Sequence, residues 1–236
     1  MTKHVFAPFD RLCERVAKDR IEKWSEIQAD FLRVVEKFDT VYATGERSAG
    51  WYKAKARYFN DLIIALLQNW SGKHVVGPVH RDSQLFHEID IDICFPADGT
   101  PRAAAEVKAL GTPGHPGNDN KPRPGRSDLH KRVREVAFTA TDLKAAYAKP
   151  TKIRTFNDWV QRTEPAYFSF WAVRTEDASD FETVRSILVG LSSYCNGVGA
   201  IIYTPASGAK GIRYAPKKVT ELDMDKALRR MAQSMV

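Results

Sequence analysis

Residues 88–110 read EIDIDICFPADGTPRAAAEVKAL, and polar and apolar side chains alternate strictly from Glu88 to Ile93. A period of two is the mark of a half-buried strand, in which neighbouring side chains point to opposite faces. Ile89, Ile91 and Ile93 are therefore expected to face a core, with Glu88, Asp90 and Asp92 on the other side. Pro96 and the pair Asp98-Gly99 signal a turn. The return strand is expected over Ala103–Leu110, with Glu106 and Lys108 on one face and Val107 on the other. A two-residue turn at Asp98-Gly99 would set Asp90 opposite Val107, on the wrong face for Glu106. An odd number of loop residues, or a bulge, is needed to bring Asp90 or Asp92 onto the face of Glu106.

Carboxylates gathered on one face of a hairpin repel one another. A divalent cation removes the repulsion, and carboxylate oxygens suit Mg²⁺ or Mn²⁺ better than zinc. A lysine beside such a pair can orient a water molecule, while the cation activates that water and offsets charge developing on a phosphate. The residue types suit phosphodiester hydrolysis.

An aspartate at the end of one strand, a turn, and Glu106-Val107-Lys108 in the next strand resemble the PD-(D/E)xK nuclease superfamily, the restriction-endonuclease-like enzymes. Two aspartates compete for the first position. Asp90 is favoured because Glu88-Ile89-Asp90 resembles the acidic-x-Asp form common in the family, and Asp92 is the alternative. The resemblance implies that Asp90 or Asp92, Glu106 and the Val107 carbonyl hold Mg²⁺ (or Mn²⁺), and that Lys108 positions the attacking water. It also implies an α/β fold, with a restriction-endonuclease-like core of mixed β-sheet flanked by helices. On that basis residues 1–44 are a helical extension and 45–236 the nuclease domain, within one compact unit. The implied activity is DNA cleavage to 5′-phosphate ends, of type II restriction or defence kind, on double-stranded DNA and by a homodimer or by two successive nicks.

With 236 residues, 43% of them hydrophobic and 28% charged, the chain has the composition of an ordinary folded domain and not of a disordered one. The formal net charge of +7 fits a polyanionic partner. Three cysteines, Cys13, Cys94 and Cys195, lie far apart without metal-ligand spacing and are expected to be reduced core thiols. No stretch has the length of a membrane span, and MTKHVFAPFDRL lacks the apolar run of a signal peptide, so a cytoplasmic location is expected.

Along the chain, apolar residues from Leu12 to Phe38 predict helix over 10–38, capped by Asp10 and broken at most once. Trp51, Ala54, Tyr58, Leu62 and Leu66 predict a second helix over 48–70, stopped by Gly72; the resemblance offers Glu46 or Asp61 as an extra acid, though solvated charges on the helix surface are the expected role of both. His74-Val75-Val76 predicts a short strand, and His80, Arg81 and Asp82 a polar connection without a role. Residues 111–128 hold four prolines and four glycines, which excludes regular structure, and Lys121, Arg123 and Arg126 make the stretch basic. Helix is expected over 128–147, capped by Ser127 or Asp128, with Lys131, Arg132 and Arg134 in its first turns. Positive charge there opposes the helix dipole, which fits either a ligand or a solvated face. Bound to DNA, the loop and helix would use all six of these cations as phosphate contacts, and otherwise the loop is an ordinary surface loop. Phe156 and Trp159 precede a turn at 163–165. A buried strand over 167–173, helix over 179–193, a strand over 197–204, a basic loop with Lys210, Arg213, Lys217 and Lys218, and helix near 223–234 complete the reading.

Two other readings use the same residues. A DNA-binding module of the same fold would need the basic surface but not Asp90, Glu106 and Lys108 together. A solvated hairpin face would make Glu106 and Lys108 an ordinary surface pair of little energetic weight. A repair nuclease or exonuclease is a further alternative within the nuclease class.

Overall fold

The computed structural model describes residues 3–45, 51–85, 88–147, 164–208 and 210–236. The first helical stretch is broken once, into α1 (Lys3–Lys18) and α2 (Gln28–Ala43). Asp10 lies inside α1 and does not cap it. The corner between the helices is fixed at Trp24, whose N–H donates to Asp225 Oδ1 at 2.5 Å and whose ring packs 5.4 Å from Phe31. α3 (Trp51–Ser71) ends at Gly72, where φ is +66°. Its expected start at Ser48, and Glu46, lie outside the described residues, as do Phe156 and Trp159.

The segment His74–Val76 contributes one isolated bridge, Val76 to Cys94, and not a strand. The strand is instead β1 (Val79–Asp82), in what the sequence presents as a polar connection. It exists because β2 (Glu88–Ile91) pairs with it antiparallel, satisfying a backbone whose side chains alternate between half-buried and exposed. The acidic stretch is therefore two strands. After a bend at Asp92, β3 (Ile93–Phe95) leaves that small sheet and pairs antiparallel with β4 (Ala103–Leu110). As a result Ile91 and Ile93, expected on one face, pack into different cores.

A loop from 111 leads to α4 (Arg126–Tyr147), which begins ahead of Ser127 and Asp128, so that neither caps it and Asp128 sits in the first turn. β5 (Ala166–Arg174), α5 (Ala178–Leu191), β6 (Gly197–Pro205), β7 (Tyr214–Lys217) and α6 (Met224–Ser234) follow. The strand β7 occupies part of the expected basic loop and is paired antiparallel to β6.

The main sheet has the order β3-β4-β5-β6-β7, parallel through β4, β5 and β6 and antiparallel at both edges. β5 is central, and its residues from Tyr167 to Arg174 are all buried, as its aromatic content on both faces leads one to expect. One face of the sheet is covered by α1, α2, α3 and α6, through Phe31, Phe59, Leu66, Phe168, Phe170 and Leu228. The other carries α4 and α5, through Leu129, Val136, Leu143, Trp171 and Leu188. The result is a three-layer α/β arrangement with a mixed sheet. No helix among the described residues is long and apolar enough to cross a membrane.

Candidate active site

Phe95 pairs with Ala103, which leaves residues 96–102, an odd number, in the connection. The pairing continues as Cys94 with Ala104 and Ile93 with Ala105. One step further along this register Asp92 stands across from Glu106, the parity that a two-residue turn could not give. Asp92 Oδ2 accepts from the Val107 N–H at 2.8 Å and from Lys108 Nζ at 3.1 Å. Lys108 Nζ also donates to Glu106 Oε2. Asp92, Glu106 and Lys108 therefore form one contiguous cluster, with Glu106 only 7% exposed. Burial of this kind rules out the reading of Glu106 and Lys108 as a solvated surface pair.

Asp90, the favoured aspartate, is placed elsewhere. It sits on β2 opposite His80, pairs with His80 Nδ1 at 2.5 Å, and its side chain is 81% exposed. The reason is the bend at Asp92: residues before it belong to the small sheet and residues after it to the main one. The acidic-x-Asp pattern is present in the sequence, but its aspartate does not reach the cluster. Asp61 is exposed on α3 and does not line the cleft above the cluster.

Burial pushes the Glu106 carboxyl up to about 8; Lys108 pulls it down, and the neighbouring Asp92 charge adds to the rise. Burial acts on Lys108 in the opposite sense, but Glu106 and Asp92 together outweigh it and hold the ammonium group above its ordinary value. The phenol of the fully buried Tyr167 is raised well above the usual range, first by burial and then by Glu106 beside it. Two carboxylates in contact, one of them desolvated, make a donor set that a hard divalent cation fits. The Val107 N–H points toward Asp92, and in a strand the carbonyl of a residue points to the same side as its N–H. The Val107 carbonyl thus lies on the Asp92 side, beyond the last paired residue of β3. Among the described residues no group of three or more His, Cys, Asp or Glu side chains is placed to hold a metal ion, so a backbone oxygen would have to complete the set.

Above this floor a cleft of about 590 Å³ opens at the carboxyl end of β4, between α3 and α4. Asp92, Val107 and Lys108 line it, together with Arg123, Lys131 and Arg132 from the basic set. The other three expected phosphate contacts are not there. Lys121 is exposed near Asp119, at 3.9 Å, Arg126 is turned to the buried Asp180 at 3.2 Å, and Arg134 is exposed on α4 outside the cleft lining. Arg126 was drawn away because Asp180 is 1% exposed and needs a countercharge.

The cleft also contains residues that the hairpin reading does not single out: Tyr42 from α2, and Tyr52, Lys53 and Lys55 from α3. The interleaved aromatic and basic run WYKAKARY at 51–58 is the signal that would have found them. Lys55 is the most deeply placed, 3% exposed, bonded to Asp39 Oδ1 at 2.8 Å and to the Gly111 carbonyl at 2.9 Å. Asp39 Oδ2 in turn accepts from the Tyr214 hydroxyl at 2.6 Å, and that hydroxyl accepts from Arg174 Nε at 3.1 Å. This buried chain of charges holds the loop that leaves β4. The loop is closed on itself by Thr112 and Arg123, which exchange backbone hydrogen bonds of 2.9 and 3.0 Å.

Comparisons of the chain with protein-family models, with curated proteins and with solved structures found no match.

Proposed function

We propose that this protein is a Mg²⁺-dependent deoxyribonuclease with a restriction-endonuclease-like core, of type II restriction or defence kind, that hydrolyses phosphodiester bonds to leave 5′-phosphate ends. One observation carries the reading: Asp92, Glu106 and Lys108 form one cluster, with Glu106 buried beneath it and Asp92 and Lys108 opening onto a cleft whose charged residues are mainly cations. A structural ion pair does not require two carboxylates and a lysine beneath an open basic cleft, whereas that set is well suited to phosphoryl chemistry.

Asp92, Glu106 and the Val107 carbonyl are the groups that would hold the cation. When bound, a divalent cation supplies Lewis acidity toward the phosphate and lowers the pKa of water. Lys108, held charged by the two carboxylates, orients the attacking water and stabilises negative charge on its oxygen. The Val107 N–H fixes the orientation of Asp92 from behind. Arg123, Lys131 and Arg132 hold the phosphate backbone over this floor. Cutting both strands of a duplex calls for a homodimer, or for two successive nicks by one copy.

A non-cleaving DNA-binding module of the same fold is the second reading. It is favoured by the way Lys108 already satisfies one oxygen of each carboxylate. Incubation with supercoiled and phage genomic DNA in Mg²⁺, Mn²⁺ or EDTA, beside a Lys108→Ala control, separates the two. Discrete metal-dependent fragments, lost in the variant, are expected. Salt-sensitive binding with no cleavage of unmodified, methylated or single-stranded DNA would overturn the nuclease in favour of the module.

A further inference from the structure

The proposed hydrolysis leaves the exposed aromatic ring of the cleft without a task. Tyr52, Leu85, Phe138, Tyr194 and Val236 are the exposed large hydrophobic side chains among the described residues, and Tyr52, at 42%, is the one of them that lines the cleft. The neighbouring residues of α3 show that exposure is a matter of placement. Trp51, Lys55 and Phe59 turn inward and are buried, while Tyr52 and Lys53 are left on the cleft side. Tyr42, the other cleft aromatic, has its ring against His115 with centroids 4.7 Å apart, so it is already part of the wall. Tyr52 offers a flat apolar face at the mouth of a site lined by Lys53, Lys131 and Arg132 and floored by Asp92 and Lys108.

We propose that the cleft accepts an unpaired DNA strand and that Tyr52 stacks on one of its bases. This rests on the metal-dependent deoxyribonuclease reading, and it sets an unpaired strand in place of the duplex that a restriction-type enzyme would cut. Cations that follow a backbone, with an aromatic ring presented between them, are the means by which proteins hold single strands, because every base has a π-face and stacking tolerates any sequence. In a duplex that face is covered by neighbouring bases, and a base reaches a protein ring only after it leaves the stack. Strand ends, flaps, bubbles and locally melted sites all supply such a nucleotide, and the chemistry at Lys108 is the same for each.

The test is binding, read by fluorescence anisotropy of a labelled oligonucleotide with the full chain in EDTA, so that cleavage plays no part. A mixed-sequence single strand is expected to bind more tightly than its duplex. Tyr52→Ala is expected to weaken single-strand binding by about 5- to 100-fold, the range that one stacked base accounts for, while Tyr52→Phe and Tyr52→Trp retain it. An abasic strand of the same length should bind wild-type protein as weakly as the normal strand binds Tyr52→Ala, and should be indifferent to the substitution. Duplex binding equal to or tighter than single-strand binding, or a Tyr52→Ala variant with undiminished single-strand affinity, would overturn the inference while leaving the nuclease standing. Failure to bind DNA of either form would remove both.

Discussion

Asp90 and Asp92 carry the same functional group two positions apart, yet one is 81% exposed against His80 and the other sits across from Glu106. Their substitution separates the residue proposed to act at the site from the one that only matches the sequence pattern. Asp92→Asn is expected to lower the cleavage rate by about 10²- to 10³-fold, the usual effect of removing one electrostatic contact to a reacting centre. Asp90→Asn should stay within a few-fold of wild type in the same plasmid-cleavage assay, since it disturbs only an exposed pair. Cys195 gives a second prediction for single residues. Burial pushes its thiol up to about 12, against a smaller pull from Lys144, so almost none of it is thiolate near pH 8. The thiolate is the nucleophile. Iodoacetamide at pH 8 should therefore leave Cys195 unmodified in the folded protein and label it after unfolding in guanidinium, as read by peptide mass spectrometry. Labelling of the native protein would show that the thiol is accessible and ionised.

Between elements, the decisive contacts are those that hold the loop leaving β4. Lys55 ties α3 to Asp39 of α2 and to the Gly111 carbonyl, and Asp39 passes the link to Tyr214 of β7. Burial pushes the Tyr214 phenol upward and the Asp39 charge adds to the rise, so the hydroxyl remains a donor. Lys55→Met leaves Asp39 as an unpaired buried charge, and about 3–5 kcal/mol of stability should be lost in urea unfolding. The double variant Lys55→Met with Asp39→Asn should recover part of that loss, because the stranded charge is gone. A double-mutant cycle with no coupling would show that the pair is not a unit. Gly111 is a different constraint. Its φ is +89°, and a Cβ there would lie 2.8 Å from the Cβ of Arg174. Gly111→Ala should therefore cost about 1–3 kcal/mol through backbone strain and crowding, and should disturb the cleft wall that Gly111 and Thr112 form.

For the molecule as a whole, the cleft gathers part of the +7 net charge around the site, from α3 on one wall and α4 on the other. DNA binding should weaken steeply with salt, since each neutralised phosphate releases counterions. Lys131→Ala and Arg132→Ala should each reduce the slope of log K against log salt by about 1. Arg126→Ala should leave the slope unchanged and lower the melting temperature instead, because its partner is the buried Asp180. An equal change of slope for all three would mean that the basic set acts as one undivided surface.

What could be read from the order of residues is whatever local physics decides. The apolar stripe from Leu12 to Phe38, the stop at Gly72, the two-faced aromatic strand β5 and the helices α4, α5 and α6 follow from periodicity, a left-handed glycine and burial. Glu106-Val107-Lys108 was legible as a strand with two charges on one face, and so was the need for an odd connection before it. Pairing partners were not legible. A strand with polar side chains, such as β1, exists only because β2 lies beside it, and β7 only because β6 does. The choice between Asp90 and Asp92 belongs to the same class. Both satisfy the alternation, and they are told apart by a bend that sends residues before Asp92 to one sheet and residues after it to another. Periodicity along a chain carries no record of which neighbour closes a hydrogen-bond ladder. That neighbour, and with it the aspartate at the site, the fate of Arg126 and the arrival of Tyr52 and Lys55 from α3, is settled only when distant segments pack against one another.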